Sequence, residues 1–210
     1  MNESIKNEKE RDFIFTDEGV FQRYCEDLEL NSEDLKKKIL DVGSGACQFA
    51  KFAEDSGISN QIYSINATPD SGEPFGALPF QESKRSTVGK AEALPYKDES
   101  FDLVISEAAL PILYCRIEND EQLRETLEKF LTEMLRVAKA DGEVRFGRVS
   151  SLSNGKLMSD SKRLRITFDS VLEDIKSRHN LEVKIKTADK DVGGEFKPLD
   201  LIKIRKILQK

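Results

Sequence analysis

Asp41-Val42-Gly43-Ser44-Gly45 sets a carboxylate two residues ahead of a turn with two glycines. Glycine takes positive φ without a Cβ penalty and lets the backbone approach a ligand closely. The helical pattern that follows, about Gln48 to Ser56, begins with unpaired N–H groups that can face polar or anionic atoms. This is the chemistry of gripping a small polar molecule. Two further polar residues end apolar runs: Asn66 closes Gln61 to Asn66, and Ser106-Glu107 closes the run from Phe101. Asn66 can hydrogen-bond a hydroxyl, and Glu107 can take a proton or bind a cationic group. Glu107 could equally cap the next helix.

Other chemistries lack material. His179 is the single histidine, so a Ser-His-Asp system or a multi-histidine metal centre has nothing to draw on, and no metal is expected. Cys25, Cys47 and Cys115 are an odd count with no CxxC spacing, which suggests neither a disulfide framework nor a zinc site. A net charge of -6 and a pI near 5.1 argue against a broad nucleic-acid face, although Lys162-Arg163-Arg165 is a local basic patch. There is no apolar run of membrane-spanning length, and the charged stretch Met1 to Arg11 is unlike a signal peptide. A cytoplasmic protein is expected.

The elements that must position these residues follow from periodicity. With 210 residues and 38% hydrophobic content, one domain over 1–210 is the simplest organisation. Thr16 can cap a helix over about 17–28, and this N-terminal extension (1–30) either covers a sheet face or closes as a lid. Strand one is Lys38 to Val42 and strand two Gln61 to Asn66, and a right-handed crossover between them leaves the glycine turn beside Asn66. Residues 67–86 carry Pro69, Gly72, Pro74, Gly76 and Pro79 and read as a long loop. Thr87 to Ala91 is a short third strand, and Phe101 to Ser106 reads as a fourth, buried on both faces. An amphipathic helix spans about Asp120 to Ala138, and strand five begins near Glu143. A helix over about 161–178 precedes strands at 181–187 and 199–207, joined at Gly193-Gly194 as an antiparallel hairpin. The expected fold is α/β: a Rossmann-like, doubly wound, mostly parallel seven-stranded sheet with helices on both faces and a C-terminal antiparallel hairpin.

Three ordered blocks sharpen this. Ile39-Leu40-Asp41-Val42-Gly43-Ser44-Gly45, Gly89-Lys90-Ala91-Glu92-Ala93-Leu94-Pro95-Tyr96 through Ser106, and Glu133-Met134-Leu135-Arg136-Val137 through Gly142 resemble the class I S-adenosylmethionine-dependent methyltransferases, in particular their small-molecule type 11 branch. A dinucleotide fingerprint fails, because Gly-x-Gly-x-x-Gly needs glycine where Gln48 stands. The resemblance implies S-adenosylmethionine as cofactor and methyl transfer to a small-molecule acceptor; the acidic balance makes nucleic acid the minority partner, and no membrane partner is expected. It implies that Asp41 orients the glycine loop near the cofactor's amino group, and that Gly43, Ser44 and Gly45 pass beneath its methionine and ribose. Asn66 then meets the ribose, Ala91 and Glu92 the adenine, and Ser106 the methionine end. Glu107 is the candidate base or acceptor-binding group, with Tyr24, Tyr114 and Arg148 as further candidates for the acceptor pocket.

Two positions depart from the family. Asn66 stands where an acidic residue usually accepts from both ribose hydroxyls, and Lys90 stands where an acceptor commonly meets the adenine amino group. Losing one charged acceptor costs on the order of 1–3 kcal/mol of binding. The alternative function is therefore a methyltransferase-like protein without activity, serving as a binding or regulatory module. A nucleic-acid methyltransferase would want a Pro-Pro-containing motif after strand four, where this chain reads Ser106-Glu107-Ala108-Ala109.

Overall fold

The structure is a computed structural model and describes residues 16–67, 84–114, 117–149, 156–192 and 195–207. The 67–86 loop except for its ends, Cys115, the Gly193-Gly194 turn and segment 1–15 lie outside the described residues.

Helix α1 (Asp17–Asp27) starts at Thr16, whose Oγ1 accepts from the Gly19 N–H at 3.0 Å. Strand β1 (Ile39–Val42) runs through the glycine turn into α2 (Gln48–Asp55) and on to β2 (Ile62–Asn66) and β3 (Ser86–Val88). Strand β4 (Phe101–Glu107) is followed by the short helix α3 (Ala109–Tyr114), α4 (Asp120–Val137) and β5 (Ala138–Gly147). Helix α5 (Lys156–Arg178), β6 (Leu181–Val192) and β7 (Glu195–Lys206) complete the described chain. The strands form one seven-stranded sheet in the order β3-β2-β1-β4-β5-β7-β6. Pairing is parallel from β3 to β5 and antiparallel for β5 with β7 and β7 with β6.

Side-chain alternation along the strands divides the core. Leu40, Val42, Ile65, Val104, Phe146 and Ile202 pack with α3, α4 and α5 on one face. Ile39, Ile62, Leu103 and Ile105 pack with α1 and α2 on the other, where the Phe21 and Tyr24 rings stack on Phe49. Each central strand is therefore buried on both sides, as a parallel sheet requires.

Several boundaries differ from the periodicity: β3 ends at Val88 and not Ala91, α5 begins at Lys156, and the short α3 follows β4 where the periodicity predicts no helix. Strand five begins at Ala138, directly after α4, because Ala138 already pairs with Phe101 before a bulge restores the register at Leu103 and Glu143. The C-terminal hairpin is longer than its apolar pattern, and β6 and β7 stay paired from Leu181↔Lys206 to Val192↔Glu195.

Helix α1 is held to the sheet at its C-terminal end. The buried Arg145 guanidinium donates to the Leu28 and Glu29 carbonyls at 3.0 and 2.9 Å and to Asp34 at 3.0 Å, and it pairs with Glu143. These are carbonyls that a helix end leaves without intrahelical partners.

Candidate functional site

A cleft of about 370 Å³ opens at the carboxyl ends of β1 and β2, lined by Gly43, Asn66, Lys90, Glu92, Tyr114 and Lys129 among others. A crevice there is what the strand order produces. β2 lies on one side of β1 and β4 on the other, so the two crossovers leave in opposite directions.

The turn that floors the cleft is held by its neighbour strand. The Gly43 and Ser44 N–H groups donate to the Ile65 carbonyl at 2.9 and 3.3 Å. Gly43 and Gly45 both have positive φ, 77° and 55°. A Cβ placed on Gly45 would meet no protein atom within 4 Å, so the space over this residue is open. Cys47, also left-handed at φ 62°, is buried with its Sγ 3.3 Å from Ser44 Oγ and acts as a packed small residue at the start of α2.

Asn66 uses its amide on the same turn. Its Nδ2 donates to the Gly45 carbonyl at 2.8 Å, and its Oδ1 accepts from the Ala67 N–H at 3.2 Å. A carboxylate could not donate to that carbonyl, so the amide ties β2 to the glycine turn in a way the usual acidic residue cannot.

The loop that carries Ala91 and Glu92 is fixed from behind by α4. Glu133 accepts from the Leu94 N–H at 2.8 Å, while Arg136 donates to the Leu94 and Tyr96 carbonyls at 3.0 and 2.8 Å and to Asp98 at 2.7 Å. Two of the sequence blocks are thus one physical unit that presents Ala91 and Glu92 to the cleft.

Of the nine expected site residues, Gly43, Asn66, Ala91 and Glu92 line this cleft. Ser44 and Gly45 complete the turn beside it. Asp41, Ser106 and Glu107 are instead buried. Asp41 points into the α1 face and makes no hydrogen bond to the glycine loop, which Ile65 and Asn66 hold instead. Burial pushes the Asp41 carboxyl up to about 8. The nearby Tyr24 hydroxyl pulls the other way but does not reach hydrogen-bonding geometry with either oxygen.

Glu107 lies under α1 in a cluster that sequence reasoning did not assemble. Arg148 donates through Nε to Asp27 Oδ2 at 2.6 Å and stands 3.1 Å from Glu107 Oε1, with both carboxyl side chains fully enclosed. Burial raises the Glu107 carboxyl well above the usual range, and the Asp27 charge adds to this while Arg148 and Arg23 oppose it. A Cβ on Gly147 would fall 1.8 Å from Glu107 Oε2, so glycine is what admits this carboxyl between the strand ends. Ala108 and Arg148, flanking the cluster, both take positive φ of 53°. Tyr24 and Arg148 belong to this buried region, whereas Tyr114 lines the cleft. Its hydroxyl is raised well above the normal tyrosine range by burial and by Glu92.

Lys129 and Thr126, on α4, are cleft residues that sequence reasoning missed. The only signal was their place on the polar edge of an amphipathic helix. No described helix is long and apolar enough to cross a membrane, and no cluster of potential metal ligands occurs among the described residues.

Residues 40–146 match the methyltransferase domain family. An S-adenosylmethionine-dependent methyltransferase from Thermotoga maritima is 18% identical, with 96% of this chain and 95% of that one covered at a TM-score of 0.52. Another from Methanosarcina mazei is 15% identical, covering 90% and 98%, also at 0.52. The plantazolicin methyltransferase BpumL, solved with a desmethyl plantazolicin analog and S-adenosylhomocysteine, is 13% identical over 96% and 90%, at 0.55. At these identities the likeness is one of fold. No curated protein matches the chain.

Proposed function

The chain belongs to the methyltransferase domain family, whose cofactor is S-adenosylmethionine, and we propose that it transfers a methyl group to a small-molecule acceptor from this cleft. The observation that carries the reading is the open, left-handed Gly45 beside a cleft bounded by Gly43, Asn66, Ala91 and Glu92. That turn leaves room for a ligand where any other residue would put a side chain. When bound, the cofactor supplies an electrophilic methyl group on a sulfonium.

In this reading Gly43, Ser44 and Gly45 pass beneath the nucleoside and methionine, while Ala91 and Glu92 border the adenine. Asn66 acts mainly through the turn it clamps. Asp41 supplies an orphaned carboxyl below the turn, and a nearby ammonium group would stabilise it as the anion. The Ser106 carbonyl is the proposed contact at the methionine end. Glu107, closed under α1, is the proposed acceptor-side group only in a state where α1 and Arg148 have moved off it. Methyl transfer by direct displacement draws much of its acceleration from alignment and water exclusion, so an open base at the cleft is not a prerequisite.

One observation favours a second reading, a binding or regulatory module without methyltransferase activity. Asn66 directs one amide N–H to Gly45 and its Oδ1 to the Ala67 N–H, and Lys90 offers no acceptor, so the nucleoside lacks the usual charged grip.

Calorimetric titration with S-adenosylmethionine and S-adenosylhomocysteine tests the proposal. Micromolar binding is expected, and Gly45→Ala is expected to stay folded while losing affinity by about tenfold or more. A folded Gly45→Ala variant with unchanged affinity refutes the site. Failure of both ligands to bind the folded wild type in the millimolar range, with binding restored by Asn66→Asp with Lys90→Asp, favours the second reading.

A further inference from the structure

We infer that the cleft takes a ligand bearing an anionic group, a phosphate monoester or a carboxylate, which Lys90 and Lys129 hold at its rim. The inference rests on the cofactor reading only for what fills the glycine-turn end. The charge argument is separate.

The chain is acidic overall, and its described cations are largely committed. Arg124 pairs with Asp174, Arg136 with Glu133 and Asp98, Arg145 with Asp34 and Glu143, and Arg165 with Asp169 and Asp200. Lysines follow the same habit, with Lys139 on Asp102 and Lys203 on Glu29. Lys90, Lys97, Lys129 and Lys162 are the exposed lysines without such a partner among the described residues, and of these Lys90 and Lys129 share the cleft. Among the described residues neither of these two has a side-chain hydrogen bond or an aromatic face. They come from separate elements, the loop after β3 and the outer side of α4, so the rim is cationic from two directions.

Nothing in the lining offsets them fully. Glu92 is the single carboxylate among the lining residues and faces the Tyr114 hydroxyl. Asn66 is neutral where β2 ends. An anionic group on the ligand would meet this uncompensated positive rim favourably. Two ammonium groups on flexible stems suit a compact anion, which they can meet as point charges without a fixed geometry.

The anion has two sources, a phosphate on the nucleoside or an acidic group on the acceptor. In dinucleotide sites an acidic residue at this strand end favours a free ribose hydroxyl, whereas a basic neighbour accommodates a ribose phosphate. The same charge logic applies to Asn66 with Lys90.

Titration calorimetry at low salt on the wild-type chain and the double variant Lys90→Ala with Lys129→Ala tests this, using adenosine, adenosine 2′-monophosphate, S-adenosylhomocysteine and inorganic phosphate as probes. An advantage of about tenfold or more for the monophosphate over adenosine, lost in the double variant, puts the anion on the nucleoside. That advantage should also collapse at about 0.5 M salt, since exposed charges are screened. Phosphate that raises S-adenosylhomocysteine affinity in the wild type but not in the double variant puts the anion on the acceptor. If both chains bind S-adenosylhomocysteine and respond alike to every probe, the inference is wrong and the cofactor reading stands. If the monophosphate is preferred in a lysine-dependent way while S-adenosylhomocysteine fails to bind, the inference stands and the cofactor reading falls. Absence of any binding to the folded wild type overturns both.

Discussion

Replacing Asp41 with asparagine should remove one buried carboxyl's share of the pH dependence of stability. The carboxyl is wholly enclosed, neither oxygen has a hydrogen-bond partner, and burial raises it from 3.8 to about 8. Between those two values the folded chain holds a proton that the unfolded chain releases. Folding stability therefore falls as pH rises through this window and levels off above about 8. One fully realised group changes stability by about 1.4 kcal/mol per pH unit, so from pH 5.5 to 7.5 the Asp41 share is about 3 kcal/mol at most. Asparagine keeps the shape and cannot ionise. The difference in unfolding free energy, variant minus wild type, should thus grow by up to about 3 kcal/mol over those two units, whatever the fixed cost of burying an amide. Urea unfolding at pH 5.5, 6.5 and 7.5 measures it, and the other titrating groups, Glu107 included, cancel between the two chains. A difference that stays flat across the range would refute the buried, unpartnered Asp41.

The cluster under α1 gives a second test: Gly147→Ala should destabilise the chain by about 1–3 kcal/mol or more, because the new methyl meets an enclosed carboxyl. Adding Glu107→Ala should recover part of that loss, with a coupling of about 1 kcal/mol or more in thermal or urea unfolding, and strict additivity would contradict the contact. Behind the cleft, Glu133→Ala removes the acceptor for the Leu94 N–H and a partner of Arg136. Amide exchange at Leu94 should rise by about tenfold or more, at a stability cost of about 1–3 kcal/mol, and unchanged exchange would detach that loop from α4.

Much of the fold was legible because local chemistry and long-range packing agree. The Gly43-Ser44-Gly45 turn needs positive φ, the apolar runs at β1 and β4 need two covered faces, and Thr16 caps α1 through the Gly19 N–H at 3.0 Å. Each of these is settled within a few residues of chain. The start of β5 was not, because Ala138 joins the sheet through its pairing with Phe101, a distant partner that periodicity along α4 does not contain.

The site divides in the same way. The sequence by itself determined the glycine turn, the Asn66 departure and the blocks at 89–96 and 133–142, since each is carried by residue type at a fixed place along the strand order, whereas the contact between those two blocks came only with the structure. Only the tertiary structure decided which polar groups share a space. It turned Asp41 and Glu107 toward α1 because alternate strand residues face opposite sides, and it brought Asp27 and Arg148 together from distant parts of the chain. It also set Lys129 of α4 on the same cleft as Lys90. Charge acts through space, so a pairing or an unbalanced rim exists only once the chain is packed.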